Sequence, residues 1–135
     1  MIKINYIKND SNNTIINPFL VINDKRAIYY IKELCMAHLF TLEGYFKTVK
    51  KNLFIKQKIP IYLNSKTILF YNNGFMDYDS IFINYLEIKE IKQMKDNLII
   101  IFRDNEQLKV DFSYYEYLSH VKRVKKILNY KNKYL

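Results

Sequence analysis

Residues 42–64 change from a helical to an extended pattern of apolar residues, and this change constrains the fold more than any other feature of the chain. In the first part, apolar residues recur three or four positions apart, which places them on one side of an α-helix. They are Leu42, Phe46, Val49 and Leu53. Apolar residues then occupy every second position from 59 to 63, as in a strand with one buried face. The stretch therefore predicts a helix that ends near Gln57 and leads directly into a β-sheet.

All of the excess positive charge lies in this stretch and in one other. Residues 41–58 carry five lysines and one glutamate, and residues 114–135 carry six basic residues and one glutamate. The rest of the chain is neutral, so these two segments account for the formal net charge of +9. Two concentrated cationic helices indicate a polyanionic partner, although solvated helix faces that only keep a protein in solution would carry the same charge. The residues that we assign to the polyanion are Lys47, Lys50, Lys51, Lys56, Lys58, Lys122, Arg123 and Lys126.

Three helices are predicted from apolar spacing and from capping residues. Asn23 or Asp24 caps the first helix, because either side chain can accept from the free amides of the opening turn. Thr41 caps the second helix. Ser113 and Glu116 have the spacing of a capping box at the start of the last helix.

The segments between the second and the last helix are predicted to form about five antiparallel strands, separated by turn residues such as Asn72-Asn73-Gly74. The sequence thus predicts a single α+β domain over residues 1–135. Its parts are an extended arm (1–22), a helical part (23–57), an antiparallel β-meander (58–112) and a C-terminal helix packed on the sheet (113–130).

Three features indicate a cytoplasmic protein with no membrane partner. No apolar run approaches the roughly 20 residues of a membrane-spanning helix, and the first residues lack the apolar core of a secretory signal. The single cysteine, Cys35, cannot form an internal disulfide, which agrees with a reducing compartment.

Residues that could support catalysis or hold a cofactor are few. The two glycines are 30 positions apart and cannot form a glycine-rich phosphate loop. Cys35, His38 and His120 are too sparse for a zinc site, and Cys35 lies on the apolar side of its predicted helix. Asp77 and Asp79 are the nearest pair for acid–base work, but their place near a turn favours a solvated loop. We therefore expect no enzymatic activity, no metal and no cofactor.

The order of these signals resembles that of the ComK family, the competence transcription factors of low-GC bacteria. Cys35 and Gly44 have the spacing of a cysteine and a glycine of that family, and Lys58–Ile61 matches its Lys-x-Pro-Ile motif. Further matches are ILFYN from Ile68, FIN from Phe82, and IIF, RDNEQ, LKVDF and SYY in the last third of the chain. The resemblance covers about residues 30–128.

The chain departs from the family pattern at three positions and is shorter at its C-terminal end. Tyr45 stands in place of an arginine, Tyr71 in place of a proline and Phe82 in place of a tryptophan. The resemblance is therefore to a shortened and diverged relative.

The resemblance implies a DNA-binding transcriptional regulator that forms a homodimer or a larger homo-oligomer on AT-rich duplex DNA, in the bacterial cytoplasm and associated with the nucleoid. In such a regulator the eight basic residues would neutralise phosphates. The chain has three arginines, and Arg123 alone lies in a basic cluster, so bidentate reading of guanine is not expected to dominate recognition.

Two other functions fit parts of the pattern. A meander closed by a C-terminal helix resembles the pleckstrin-homology group, whose basic loops would bind anionic lipid or an acidic peptide. Exposed tyrosines could also stack on single-stranded nucleic acid, but most of the 13 tyrosines occupy apolar stripes, which favours core packing.

Overall fold

The computed structural model describes residues 3–134, which form three helices and nine strands. The helices are α1 (Ala27–Ala37), α2 (Leu42–Leu53) and α3 (Tyr114–Lys133). The strands are β1 (Tyr6–Asp10), β2 (Asn13–Asn17), β3 (Leu20–Ile22), β4 (Ile61–Asn64), β5 (Thr67–Tyr71), β6 (Ile81–Asn84), β7 (Ile88–Gln93), β8 (Leu98–Phe102) and β9 (Gln107–Val110). The predicted α+β class is confirmed, including the packing of α3 on the sheet. Among these residues, no helix has both the length and the apolar content needed to cross a bilayer.

The strands form two antiparallel sheets, whereas we predicted one meander of about five strands. A six-stranded sheet has the order β3-β2-β1-β6-β5-β4, and a three-stranded sheet has the order β7-β8-β9. The chain leaves the first sheet at a 3₁₀ turn, Tyr85–Glu87. Residues 85–91 were expected to be one strand, because Leu86 and Ile88 alternate with polar residues, but the strand β7 begins only at Ile88. This arrangement also differs from the pleckstrin-homology pattern, because three strands precede the helices and enter the main sheet.

The segment that we predicted as an extended arm enters the main sheet as β1, β2 and β3. β1 lies inside the sheet, bonded to β2 on one side and to β6 on the other, with Tyr6 opposite Ile83. The alternation of Ile2, Ile4 and Tyr6 predicted a short strand at the start of this arm. Ile2 lies outside the described residues, and β1 begins at Tyr6. The local pattern did not predict the pairing because β1 is short and its partner β6 follows more than 70 positions later.

The six-stranded sheet has a hydrophobic core on each face. Along β5, Leu69 and Tyr71 point to the core that contains α1, while Ile68 and Phe70 point to the core shared with α3 and the three-stranded sheet. All four side chains are almost completely buried, so β5 is a central strand covered on both sides.

Local signals determine the starts of α2 and α3. Thr41 Oγ1 accepts a hydrogen bond from the amide of Gly44 at 3.1 Å, and Ser113 Oγ accepts from the amide of Glu116 at 3.1 Å. Both caps are those that the sequence predicted.

The start of α1 depends on a distant residue instead. Neither Asn23 nor Asp24 caps the helix, which begins at Ala27. The amide of Ala27 donates to Oδ1 of Asn9 at 2.7 Å. The predicted cap was wrong because β1 supplies the acceptor from across the fold.

Asn84 joins the main sheet to the segments around it. This buried amide donates from Nδ2 to the carbonyl oxygens of Ile4 at 2.8 Å and Lys66 at 3.1 Å. Its Oδ1 accepts from the amides of Ile68 at 3.1 Å and Leu86 at 3.2 Å. One side chain thus satisfies four backbone groups at the point where the chain leaves the six-stranded sheet.

Candidate nucleic-acid interface

Residues 54–58, which we call the connector, follow α2 and lead towards β4, and they begin and end with a left-handed residue. α2 ends before Phe54, short of the predicted end near Gln57, because Phe54 adopts a left-handed conformation with φ of 59°. Lys58, at the other end, is also left-handed with φ of 49°. Ile55 is buried in the core that contains α3, while Lys56 and Gln57 are exposed. The connector therefore directs its polar side chains away from the core.

A groove of about 300 Å³ lies between the connector and α3. Three of its lining residues are the basic side chains of α3 that the sequence assigned to the polyanion, and one is Lys56 of the connector. The lining residues are Phe54, Ile55, Lys56, Gln57, Lys122, Arg123 and Lys126. We call this the α3 groove.

A second groove, of about 180 Å³, lies on the other side of the connector. It is lined by Phe46, Lys50, Lys56, Gln57, Lys58, Ile59, Tyr71 and Phe75. Lys56 and Gln57 line both grooves, so the two grooves adjoin each other at the connector. We call this second groove the α2 groove. The basic residues that line the two grooves form what we call the basic surface. They are Lys50, Lys56, Lys58, Lys122, Arg123 and Lys126.

The charges of the basic surface are not neutralised by nearby carboxylates. No aspartate or glutamate lines either groove, and none of the ion pairs within residues 3–134 involves a residue of the basic surface. Glu43, the one acid of residues 41–58, instead pairs with Lys32 of α1 at 2.9 Å. The basic surface therefore presents positive potential to solvent.

Lys47 and Lys51 occupy a different position from the other six predicted residues. Both are exposed on α2, but neither lines the α2 groove or the α3 groove. The structure thus brings six of the eight predicted residues together and leaves these two on the adjoining helix face.

His120 supports the basic surface from within and was not part of the predicted site. It is buried among apolar residues, and its ring nitrogen contacts the guanidinium of Arg123. Burial, with the positive charges of Arg123 and Lys58, lowers the pKa of His120 to about 4. Near neutral pH the imidazole is therefore uncharged. A histidine three positions before an arginine on one helix was the only sequence signal for this contact.

Tyr45 attaches α2 to the start of β4. Its hydroxyl donates to the carbonyl oxygen of Pro60 at 2.6 Å and accepts from the amide of Tyr62 at 3.1 Å. Burial raises the pKa of this phenol far above its ordinary value. The residue that replaces a family arginine therefore satisfies the backbone of the edge strand next to the connector.

Cys35, Asp77 and Asp79, which the sequence offered for metal binding or acid–base work, lie in a buried helix face and an exposed loop. Within residues 3–134, no group of histidine, cysteine, aspartate and glutamate side chains could hold a metal ion. Cys35 is fully buried, and burial raises the pKa of its thiol to about 11. Asp77 Oδ1 accepts from the amide of Asp79 at 2.9 Å in an exposed loop.

Comparison with known proteins places the chain in a family. A sequence model of the ComK protein matches residues 5–133, so the match includes β1–β3 as well as the part in which we noted the resemblance. No curated protein and no solved structure matches the chain. Because the family match spans nearly the whole chain, the protein belongs to the ComK family, a family of competence transcription factors.

Proposed function

We propose that this member of the ComK family is a transcriptional regulator that holds AT-rich duplex DNA against the basic surface. The observation that carries the proposal is the meeting of two distant segments. Residues 50–58, which include the connector, lie beside residues 122–126 of α3, more than 60 positions away in sequence, and no carboxylate lines the two grooves that they form. A cationic surface built from two adjoining grooves is suited to a phosphate backbone.

Phosphate contacts at the basic surface make affinity strongly dependent on salt, because each neutralised phosphate releases counterions. If each of the six side chains neutralises one phosphate, the slope of log K against log salt concentration is about −5. Lys47 and Lys51 extend the same positive field along α2.

The composition of the basic surface favours AT-rich sites. Arg123 is its only guanidinium, and lysines act as point charges that carry no base identity. Narrow AT-rich grooves have a strong negative potential that attracts such cations without base-specific hydrogen bonds. Family membership supports binding as a homodimer or larger homo-oligomer and association with the bacterial nucleoid.

Gel shifts and liposome sedimentation separate this function from its alternatives. The protein is titrated against an AT-rich duplex, a GC-rich duplex of equal length and the corresponding single strands, and in parallel against anionic liposomes. Preference for the AT-rich duplex supports the proposal. Sedimentation with liposomes in the absence of any gel shift would instead favour the lipid-binding alternative.

Two triple variants test whether the place of the charges matters. Changing Lys56, Lys122 and Lys126 to Ala removes three exposed charges from the basic surface. The control changes three exposed lysines that line neither groove, Lys66, Lys92 and Lys95, to Ala. The first variant should lose affinity and reduce the salt slope by about 3, while the control should keep most of the slope. Equal losses of DNA affinity in both variants would show that affinity depends only on the net charge of the protein and not on where the charges lie.

A further inference from the structure

Phe54 is an apolar side chain displayed within the basic surface. Phe54 is 75 % exposed and lines the α3 groove beside Lys56, Lys122 and Lys126. Phenylalanine normally gains free energy by leaving water, and Phe54 gains little of it within the monomer. An exposed aromatic ring next to unpaired cations therefore indicates a ligand that has both an apolar part and negative charge.

The backbone holds the ring in this position. Phe54 is left-handed, a conformation that is unfavourable for a residue with a Cβ atom. It follows directly after α2, and the next residue, Ile55, is buried in the core. The ring therefore stays at the surface as long as α2 and Ile55 keep their places.

The surrounding charges identify the class of partner. An apolar protein surface placed over the ring would bury Lys56, Lys122 and Lys126 without counter-charges, which is costly. A duplex provides phosphates for the lysines and stacked bases for the ring. Phenylalanine is one of the side chains that DNA-bending proteins insert between base pairs.

We propose that Phe54 inserts between two neighbouring base pairs of the duplex bound on the basic surface and selects steps that unstack easily. This inference rests on the proposed function and adds a source of sequence preference to it. Pyrimidine–purine steps such as TA unstack at lower cost than others. A site with a TA step under Phe54 therefore binds more tightly than a site of the same composition with an AT step there.

The test uses duplexes that carry the fluorescent base 2-aminopurine next to the central step, which is TA in one duplex and AT in the other. Unstacking raises the fluorescence of this base. The wild-type protein should raise the signal and bind the TA duplex more tightly. Phe54→Asn removes the ring, and asparagine tolerates the left-handed backbone. This variant should bind about tenfold more weakly and leave the fluorescence low, with an unchanged salt slope because the cations remain.

Leu39 provides a matched control. It follows the C-cap of α1, is left-handed with φ of 69° and is 94 % exposed, but it lines neither groove of the basic surface. Leu39→Asn therefore makes the same kind of change at the same kind of position and should alter neither affinity nor fluorescence. Phe54→Trp, which keeps an aromatic ring, should retain both.

Three results would overturn the inference. The first is wild-type affinity and fluorescence in Phe54→Asn, and the second is no fluorescence change when the wild-type protein binds. The third is a Phe54→Asn variant that dissociates into monomers on a sizing column while it still raises the fluorescence, which would make the ring a contact between copies. If the wild-type protein bound no duplex at all, the proposed function would be refuted as well. The binding of the wild-type protein is therefore measured first, before the variants are compared.

Discussion

Arg123 donates a hydrogen bond from Nη1 to Nδ1 of His120 across 3.2 Å. An arginine has only donors, so Nδ1 must accept and the proton of the neutral ring is on Nε2. Phe70 stacks on the imidazole with ring centroids 5.2 Å apart, and Phe112 contacts its edge at 5.4 Å. A guanidinium of the basic surface is therefore positioned by a ring that has to remain uncharged.

The stability of the protein should fall as the pH falls from about 6.5 towards 4. In the unfolded chain His120 titrates near its ordinary pKa of about 6.5, whereas in the folded protein its pKa is about 4. Between these values the unfolded state binds a proton that the folded state does not, so unfolding becomes easier by up to roughly 1.4 kcal/mol per pH unit. Urea unfolding at about pH 7 and about pH 5 measures the difference.

The control for this pH dependence is His120→Asn. Asparagine offers an acceptor for Arg123 but does not titrate. The variant should be less stable at neutral pH, because the ring contacts are lost, and its stability should change less between the two pH values. A pH dependence as steep as that of the wild-type protein would assign the effect to other groups.

Tyr45→Phe should destabilise the protein by about 1–3 kcal/mol, since it leaves a partly buried acceptor and a partly buried donor without this partner. The hydroxyl that it removes bonds the carbonyl oxygen of Pro60 and the amide of Tyr62. Urea unfolding measures the loss. Tyr115→Phe, at a side chain that is largely exposed, is the control and should have almost no effect. Equal stabilities of the two variants would mean that the Tyr45 hydroxyl does not secure β4.

Asn84→Ala should be among the most damaging single changes outside the hydrophobic core. It removes four hydrogen bonds and leaves the carbonyl oxygen of Ile4 and the amide of Ile68 without this partner. We expect a loss of about 3 kcal/mol or more. Thermal unfolding compares this variant with Asn129→Ala, which removes an exposed amide from α3. Similar melting temperatures for the two variants would contradict the prediction.

Changing both Lys47 and Lys51 to Ala should reduce DNA affinity less than changing Lys56 and Lys122 to Ala. Each variant loses two exposed charges, but only the second loses them from the grooves. Affinity and salt slope measured over a series of salt concentrations compare them directly. An equal or larger loss of DNA affinity in the Lys47 and Lys51 variant would mean that the DNA contact includes the exposed face of α2, as the sequence alone predicted.

The parts of the fold that were predicted well have strong local causes. Thr41 and Ser113 cap α2 and α3 from within their own opening turns. The alternation of Ile61 and Leu63 predicted β4, since both side chains pack in the core that contains α1. Where the cause is distant, prediction failed. Asn9, which caps the helix α1, lies in the strand β1, and β1 itself pairs with β6, which follows far along the chain.

By itself, the sequence determined the α+β class, the helical and extended segments after residue 41, and the concentration of positive charge in two of them. Only the tertiary structure decided that these charges meet across the connector, that His120 lies against Arg123, and that Phe54 stands exposed among the lysines. The physical reason is that periodicity and capping record which side of an element is apolar and where it begins. Periodicity and capping do not show which distant element packs on the apolar side. The shape and charge of the protein surface depend on that packing.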